Sequence, residues 1–240
     1  MIIYFNNKFS KNKNILIDVR DRGFLLGDAI FETILFNNQK IILFNYHYER
    51  FIKSIKKNYF NFSISKKKLE DIIYKLVKRN KIDTRRVAIR LTLSRGVSKA
   101  RGLDFHSDHA CTFLITLSNL PKNKNISKIR IKTSDIKRLS NSILSQNKTS
   151  NYFENIVAKH ISKKEQFDDA LFLNEKNKIC CCSSSNIYFV ENNKIFTPPL
   201  KDGALDGTVR KLLLKKKKVA VKSISLNNLK KASEVFLTNS

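Results

Sequence analysis

Residues 146–160 read QNKTSNYFENIVAKH. Lys148 stands at the end of an irregular segment. A helical pattern starts directly after it, over 151–165, with Ile156, Val157, His160 and Ile161 at helical spacing. In a lysine-rich chain a single lysine is ordinarily a solvated side chain. A position just ahead of a helix is different, because there a side chain can be aimed into a cleft. A buried amine of lowered pKa is what a Schiff-base lysine requires.

Working outward, the chain alternates strand-like and helix-like runs. MIIYF (1–5) and ILIDV (15–19) read as short strands, and IFETILFNN followed by QKIILF reads as a hairpin with Asn37-Asn38 at its turn. Phe51, Ile52, Ile55 and Tyr59 fall at helical spacing over 46–60. Leu69, Ile72, Ile73, Leu76 and Val77 do the same over 66–79, with Ser65 as N-cap. VAIRLTLS, CTFLITL and SKIRIKTS read as strands, as do shorter runs at 170–174, 177–181, 186–191 and 194–196, and a helix fits 208–217. This is an α+β pattern. SNLPKNKNIS, residues 118–127, is polar and contains Pro121, and it serves as the expected linker between a lobe at 1–117 and a lobe at 128–240.

Composition narrows the function. The 240 residues carry 47 Lys and Arg against 20 Asp and Glu, a formal charge of +27. Such a charge invites a nucleic-acid reading. The lysines are spread along the chain, however, and Lys, Asn and Ile abound while Gly (6), Pro (3) and Trp (0) are scarce, as A/T-rich codon usage would produce. Nucleic acid is therefore not the expected partner, and a basic surface that attracts anionic substrates is. With 42% hydrophobic residues and 17 Phe the chain has material for a core. No stretch approaches the ~20 apolar residues of a membrane span. MIIYFNNKFSKNKN lacks the layout of a signal peptide, so a cytoplasmic address is expected.

Two further stretches are weak alone. LDGTVRKLLL (205–214) opens a helix with a glycine and Thr208, an arrangement whose amides and dipole suit an anion. DRGFLLGDAIFETI (21–34) reads by itself as a turn followed by a strand. KICCCSSSNIYF (178–189) raises the question of a metal or redox site, since the chain has only one other cysteine, Cys111. Alternation along a strand turns Cys180 and Cys182 away from Cys181, and no second cysteine pair stands at ligand spacing, so zinc is not expected. A disulfide does not suit a cytosolic chain. A nucleophile would want a histidine partner, and His47, His106, His109 and His160 form no recognisable arrangement with the triplet.

Taken together and in order, these segments resemble the class IV aminotransferases, a family of pyridoxal 5'-phosphate (PLP) enzymes. The family includes branched-chain and D-amino acid aminotransferases and 4-amino-4-deoxychorismate lyase. The resemblance rests on DRGFLLGDAIFETI, HYERFIKS, NKTSNYFENIVAK, DDALFLNEKNKICCCSSSNIYFV with IFTPPL and ALDGTVR, and FLTNS, and it covers nearly the whole chain. It implies the two-lobed α/β fold of the D-amino acid aminotransferase-like enzymes, with the cofactor between the lobes, and a homodimer. By position it makes Lys148 the lysine that links covalently to the cofactor and moves the substrate proton. Arg50, the amides of Thr208 and Val209, Asn239 and Ser240 would hold the phosphate. Leu205 would pack on the ring, and Tyr152 would reach the phenolic oxygen.

Within the family, Thr33 falls where the lyase has a threonine beside the lysine, placed to relay a proton to an enol-pyruvyl leaving group. SRGVSKARGLD (94–104) resembles the lyase pattern and makes Arg101 the candidate for a substrate carboxylate. The resemblance thus implies a lyase converting 4-amino-4-deoxychorismate to 4-aminobenzoate and pyruvate, a step of folate biosynthesis. The alternatives are a branched-chain or D-amino acid aminotransferase, or a degenerate member with weak or no activity.

Three departures stand out. Cys181 occupies the position where the family carries a glutamate for the pyridine nitrogen. A thiol there should leave the ring a poorer electron sink, which suits elimination better than amino transfer. Val209 replaces a threonine whose hydroxyl joins the phosphate. FLTNS normally continues into a further strand and helix, whereas Ser240 is the last residue, so the second lobe is read as shortened.

Overall fold

The computed structural model describes residues 1–82, 86–98, 101–105, 110–121 and 128–240. His106, His109 and most of the expected linker lie outside them. The chain divides into two units, Met1–Lys124 with Lys148–Asn151, and Asn125–Asn147 with Tyr152–Ser240.

The first unit contains β1 (Ile2–Phe5), β2 (Lys8–Lys11), α1 (Arg22–Leu26), β3 (Ala29–Asn37), β4 (Lys40–Ile41), α2 (Phe44–Lys57), α3 (Lys66–Asn80), β5 (Arg86–Ser94) and β6 (Thr112–Asn119). The strands form one sheet in the order β2-β1-β6-β5-β3-β4. Period-2 alternation fixes its core face: Ile30, Ile34 and Phe36 from β3, Ile89, Leu91 and Leu93 from β5, and Ile115 from β6 pack with Phe51 and Ile55 of α2 and Leu69, Ile73 and Leu76 of α3. Helix α3 begins as its sequence predicts, with the Ser65 hydroxyl accepting from the Lys68 amide at 3.2 Å.

Three expectations need correction here. Residues 15–19 form no strand, because ILIDV lacks a described partner edge and leaves Leu16, Ile17 and Val19 exposed. Tyr59 lies beyond α2 and is 76% exposed. The hairpin turn is Asn38-Gln39, one residue later than expected, with both residues at positive φ (46° and 62°). Asn6-Asn7 and Asn192-Asn193 make the same left-handed pairs between strands. In a chain with six glycines, asparagine supplies the conformation that two-residue hairpins demand.

The second unit contains β7 (Ile131–Thr133), α4 (Ile143–Gln146), α5 (Phe153–Lys164), β8 (Asp169–Leu173), β9 (Ile179–Cys182), β10 (Asn186–Glu191), β11 (Lys194–Thr197), α6 (Thr208–Lys215), β12 (Ala220–Val221), α7 (Leu226–Leu229) and β13 (Glu234–Thr238). Two small sheets run β7-β8-β9 and β12-β11-β10-β13. Parallel pairs β7/β8 and β11/β12 flank α5 and α6 respectively, the usual crossover arrangement.

Helix α5 faces inward with Asn155, Ala158 and Ser162, while Phe153, Ile156 and Ile161 are exposed at 78%, 64% and 42%. The inward stripe is small because the helix lies against β8, whose five residues are all buried.

The cysteine triplet departs from simple alternation. Phe172 pairs with Cys181 and Leu173 with Ile179, so Cys180 is the extra residue of a β-bulge. Cys180 and Cys181 therefore pack together with Ala158, Ala170 and Phe172, and Cys182 packs with Leu171, Leu173, Ile179 and Ile187. The alternating-face reading of Cys180 fails at the bulge.

Candidate active site

Lys148 belongs to a short segment that extends the first unit's sheet. The Phe31 amide donates to the Lys148 carbonyl at 2.9 Å, the Ser150 amide to the Ala29 carbonyl at 2.8 Å, and Ile30 bridges Thr149. The segment is clamped at its end. Asn151 Nδ2 donates to the Gly27 carbonyl at 3.0 Å, and Gly27 has φ +66°, where a Cβ would stand 2.5 Å from Asn151 Oδ1. The Lys148 side chain lies over the Phe31 ring, with Nζ 4.3 Å from its centroid. Arg90 covers the same ring at 3.8 Å and is the cross-strand partner of Thr33. Phe31 and Thr33 alternate onto one face of β3, so a lysine, a hydroxyl and a guanidinium gather on a single strand face. Sequence reading picked out Lys148 and Thr33. It missed Arg90, whose only signal is its register against Thr33.

Arg50 projects from α2 to the other face of β3, where Glu32 receives it through Nε at 2.6 Å and Nη2 at 2.8 Å. His47 Nδ1 lies 2.8 Å from the same carboxylate. Burial works against the Glu32 carboxylate, yet the Arg50 charge and the bonds from Arg50 and His47 outweigh it and hold its pKa at about 2. Glu32 is a second residue that sequence reading missed. The same logic builds the DRGFLLGD turn. Asp21 caps α1 by accepting from the Gly23 amide at 2.8 Å and takes the Ser94 and Thr112 hydroxyls at 2.8 and 2.7 Å. Asp28 pairs with Arg22 and Arg95 at 2.9 and 2.8 Å. Burial raises the Asp28 pKa, but the two arginines bring the net effect below the ordinary range. Arg101 lines a cavity of about 490 Å³ together with Arg20, Arg22 and Leu103.

In the second unit Leu205, Thr208, Val209 and Ser240 lie at the start of α6, whereas Tyr152 and Cys181 lie on other elements. Gly207 is its N-cap and no side chain caps the helix. A Cβ on Gly207 would sit 1.9 Å from Asn186 Oδ1, so only glycine lets the backbone approach that closely. Asn186 Nδ2 in turn donates to the Leu205 carbonyl at 2.9 Å. Strand β13 pairs Thr238 with Asn186 and delivers the chain end here, where Ser240 Oγ stands 3.4 Å from Thr208 Oγ1. Thr208 is buried, Val209 half-buried, and Asn239 and Ser240 exposed. Arg210, in the same first turn, keeps a buried Nε with no partner among the described residues. An uncapped helix start, two hydroxyls and an orphaned guanidinium nitrogen fit a phosphate group. Tyr152 is the N-cap of α5.

Cys181 is 4% exposed, and Arg138 Nη1 donates to its Sγ at 3.5 Å. Burial pushes the thiol up, and Arg138 pulls the other way. The Cys180 thiol donates to the Asp202 carbonyl at 2.8 Å and is packed structure. All four cysteines are free thiols. Among the described residues no group of three or more His, Cys, Asp or Glu is placed to hold a metal, and no helix is long and apolar enough to cross a membrane.

The first unit thus carries a lysine on a strand edge, and the second carries an uncapped helix start that fits a phosphate. The family pattern described as Amino-transferase class IV matches residues 29–240, and the chain belongs to that family. It is similar to an aminodeoxychorismate lyase of Bacillus subtilis, 26% identical over 245 residues, 100% of this chain and 83% of the relative. It is equally similar to a D-alanine aminotransferase of Listeria monocytogenes, 26% identical over 249 residues, 100% of this chain and 84% of the relative. Among solved structures it matches the T.th. branched-chain amino acid aminotransferase complexed with N-(5'-phosphopyridoxyl)-L-glutamate. That match has a TM-score of 0.89 and 24% identity, and covers 99% of this chain and 81% of that one.

Proposed function

We propose that the protein is a PLP-dependent lyase that splits 4-amino-4-deoxychorismate into 4-aminobenzoate and pyruvate. The observation that carries this reading is the β3 face, where the Thr33 hydroxyl shares its side of the strand with Phe31 and the Lys148 amine. Bound PLP supplies an electron sink for negative charge at the substrate carbon. Lys148 provides the amine that holds the cofactor and carries the proton at that carbon. Thr33 passes a proton to the departing enol-pyruvyl oxygen. The amides of Thr208 and Val209, the Ser240 hydroxyl and Asn239 hold the phosphate, with Arg50, oriented by Glu32, as its cationic ligand. Leu205 packs on the ring, Tyr152 meets the phenolic oxygen, and Cys181 faces the ring nitrogen. Arg101, in its arginine-lined cavity, takes a substrate carboxylate, and the +27 charge draws anionic substrates towards it.

A branched-chain or D-amino acid aminotransferase is the second reading, supported by the equal identity to a D-alanine aminotransferase. We place the protein in the cytoplasm as a homodimer. The exposed apolar side chains Phe24, Leu25, Phe153 and Ile156 support the dimer.

Borohydride reduction after PLP addition, with mass mapping, should mark Lys148. Pyruvate should then appear from aminodeoxychorismate. Rapid amino transfer to 2-oxoglutarate without pyruvate release overturns the lyase reading in favour of the aminotransferase. No mark on any lysine leaves a degenerate, non-binding member.

A further inference from the structure

Arg138 belongs to none of the motifs that point to the family, yet it is the nearest charge to Cys181. Its backbone amide donates to the Leu173 carbonyl at 2.9 Å, tying it beside β8. Its side chain spans Ser145 Oγ, 3.4 Å from Nε, and Cys181 Sγ, 3.5 Å from Nη1. The guanidinium is permanently charged and planar, and it ordinarily meets a carboxylate. Here the surrounding carboxylates are committed elsewhere. Asp169 takes the Ser183 hydroxyl and the Ala170 amide and lies 3.7 Å from Lys159. Glu175 takes the Ser140 amide and hydroxyl. The Asp202 side chain takes the Ser223 hydroxyl. Among the described residues Arg138 has no ion-pair partner. Its neighbour is a thiol, and burial keeps that thiol protonated despite the pull of Arg138. The group that directly faces Arg138 is therefore a neutral thiol, where a glutamate would have paired with the guanidinium.

We propose that Arg138 sets the state of the cofactor at this end of the site: with Cys181 in place of a carboxylate, the guanidinium keeps the pyridine nitrogen unprotonated. The inference rests on the reading that Cys181 faces that nitrogen. A protonated ring nitrogen would put a second cation beside Arg138 with only a neutral thiol directly between them. An unprotonated nitrogen is an acceptor, which both the Cys181 S–H and the Arg138 N–H can satisfy. Arg138 acts through the nitrogen and is a positioning residue. The outcome for chemistry is a weaker electron sink, which favours reactions whose leaving group carries the charge away.

The test is the nitrogen itself. The full-length chain is reconstituted with PLP labelled with ¹⁵N in the ring, and its ¹⁵N chemical shift is read by NMR. The wild type should show an unprotonated pyridine, and so should Arg138→Lys and Asp169→Asn. Arg138→Met alone should move the shift towards the protonated position. A protonated wild-type nitrogen on a cofactor attached at Lys148 overturns the proposal and leaves the site assignment standing. An Arg138→Met variant with the wild-type shift also overturns it. Failure of PLP to attach at Lys148 overturns the site assignment beneath it.

Discussion

The two units arrange buried charge differently. In the first, carboxylates are answered by cations: Asp28 by Arg22 and Arg95, Glu32 by Arg50 and His47. In the second, Arg138 meets a thiol, and Arg210, whose Nη1 lies 3.5 Å from Asp206, still keeps a buried Nε unpartnered among the described residues. Donors in surplus gain stability when an anion arrives. The orphaned Nε of Arg210 and the uncapped start of α6 therefore support that helix start as a place for an anion.

The hardest way to break this comparison is to remove the keystone of the first unit. Glu32→Ala strands Arg50 and His47 beside an empty buried position, and truncating one partner of a buried pair costs about 3–5 kcal/mol. The urea midpoint should fall accordingly, with or without PLP. A loss below about 1 kcal/mol would mean that the network is decoration.

Acid attacks the same network without mutation. The Glu32 pKa is held at about 2, below its ordinary 4.5, so its contribution is present above about 4.5 and is lost as the pH falls towards 2. Protection factors of the β3 amides, corrected for the intrinsic rate at each pH, should fall across that window. Glu32→Gln should remove this part of the pH dependence, and an unchanged slope would refute the assignment.

The second unit should respond through the ligand. Gly207→Ala drives a methyl into Asn186 Oδ1, which a Cβ would approach to 1.9 Å, and overpacking of this kind costs about 1–3 kcal/mol. We expect roughly 10- to 100-fold weaker PLP binding by fluorescence titration, with β3 amide exchange unchanged. Equal damage to both readouts would break the division of labour.

What the sequence disclosed follows the same line. Features carried by local pattern were legible: the helices at 44–57 and 66–80, the Ser65 cap, the strands β3, β5 and β6, and Lys148 ahead of α5. Features that need a partner from elsewhere were not. Glu32 looked like one polar position in FETI until α2 brought Arg50 and His47 to it. Arg138 looked like one more basic residue until β9 brought Cys181. The bulge at Cys180 is a register event between two strands, and no periodicity within ICCC could announce it. Which face of α5 is buried was not legible for the same reason, since Ile156 and Ile161 turn away from β8 and the small residues face inward.

The smallest effect is also the sharpest, because it adds a group instead of removing one. Val209 is half-buried in the first turn of α6, next to Thr208. Val209→Thr is close to isosteric and supplies a hydroxyl to a helix start that no side chain caps. If the phosphate sits there, the new bond should contribute about 1 kcal/mol, roughly fivefold tighter PLP binding. Without PLP the hydroxyl has only water to meet, and the threonine should leave stability unchanged or slightly lower. Tighter binding with no gain in the unliganded protein would show that the surplus of donors is aimed at the ligand. A gain in the unliganded protein alone would show that the helix start was merely missing a cap.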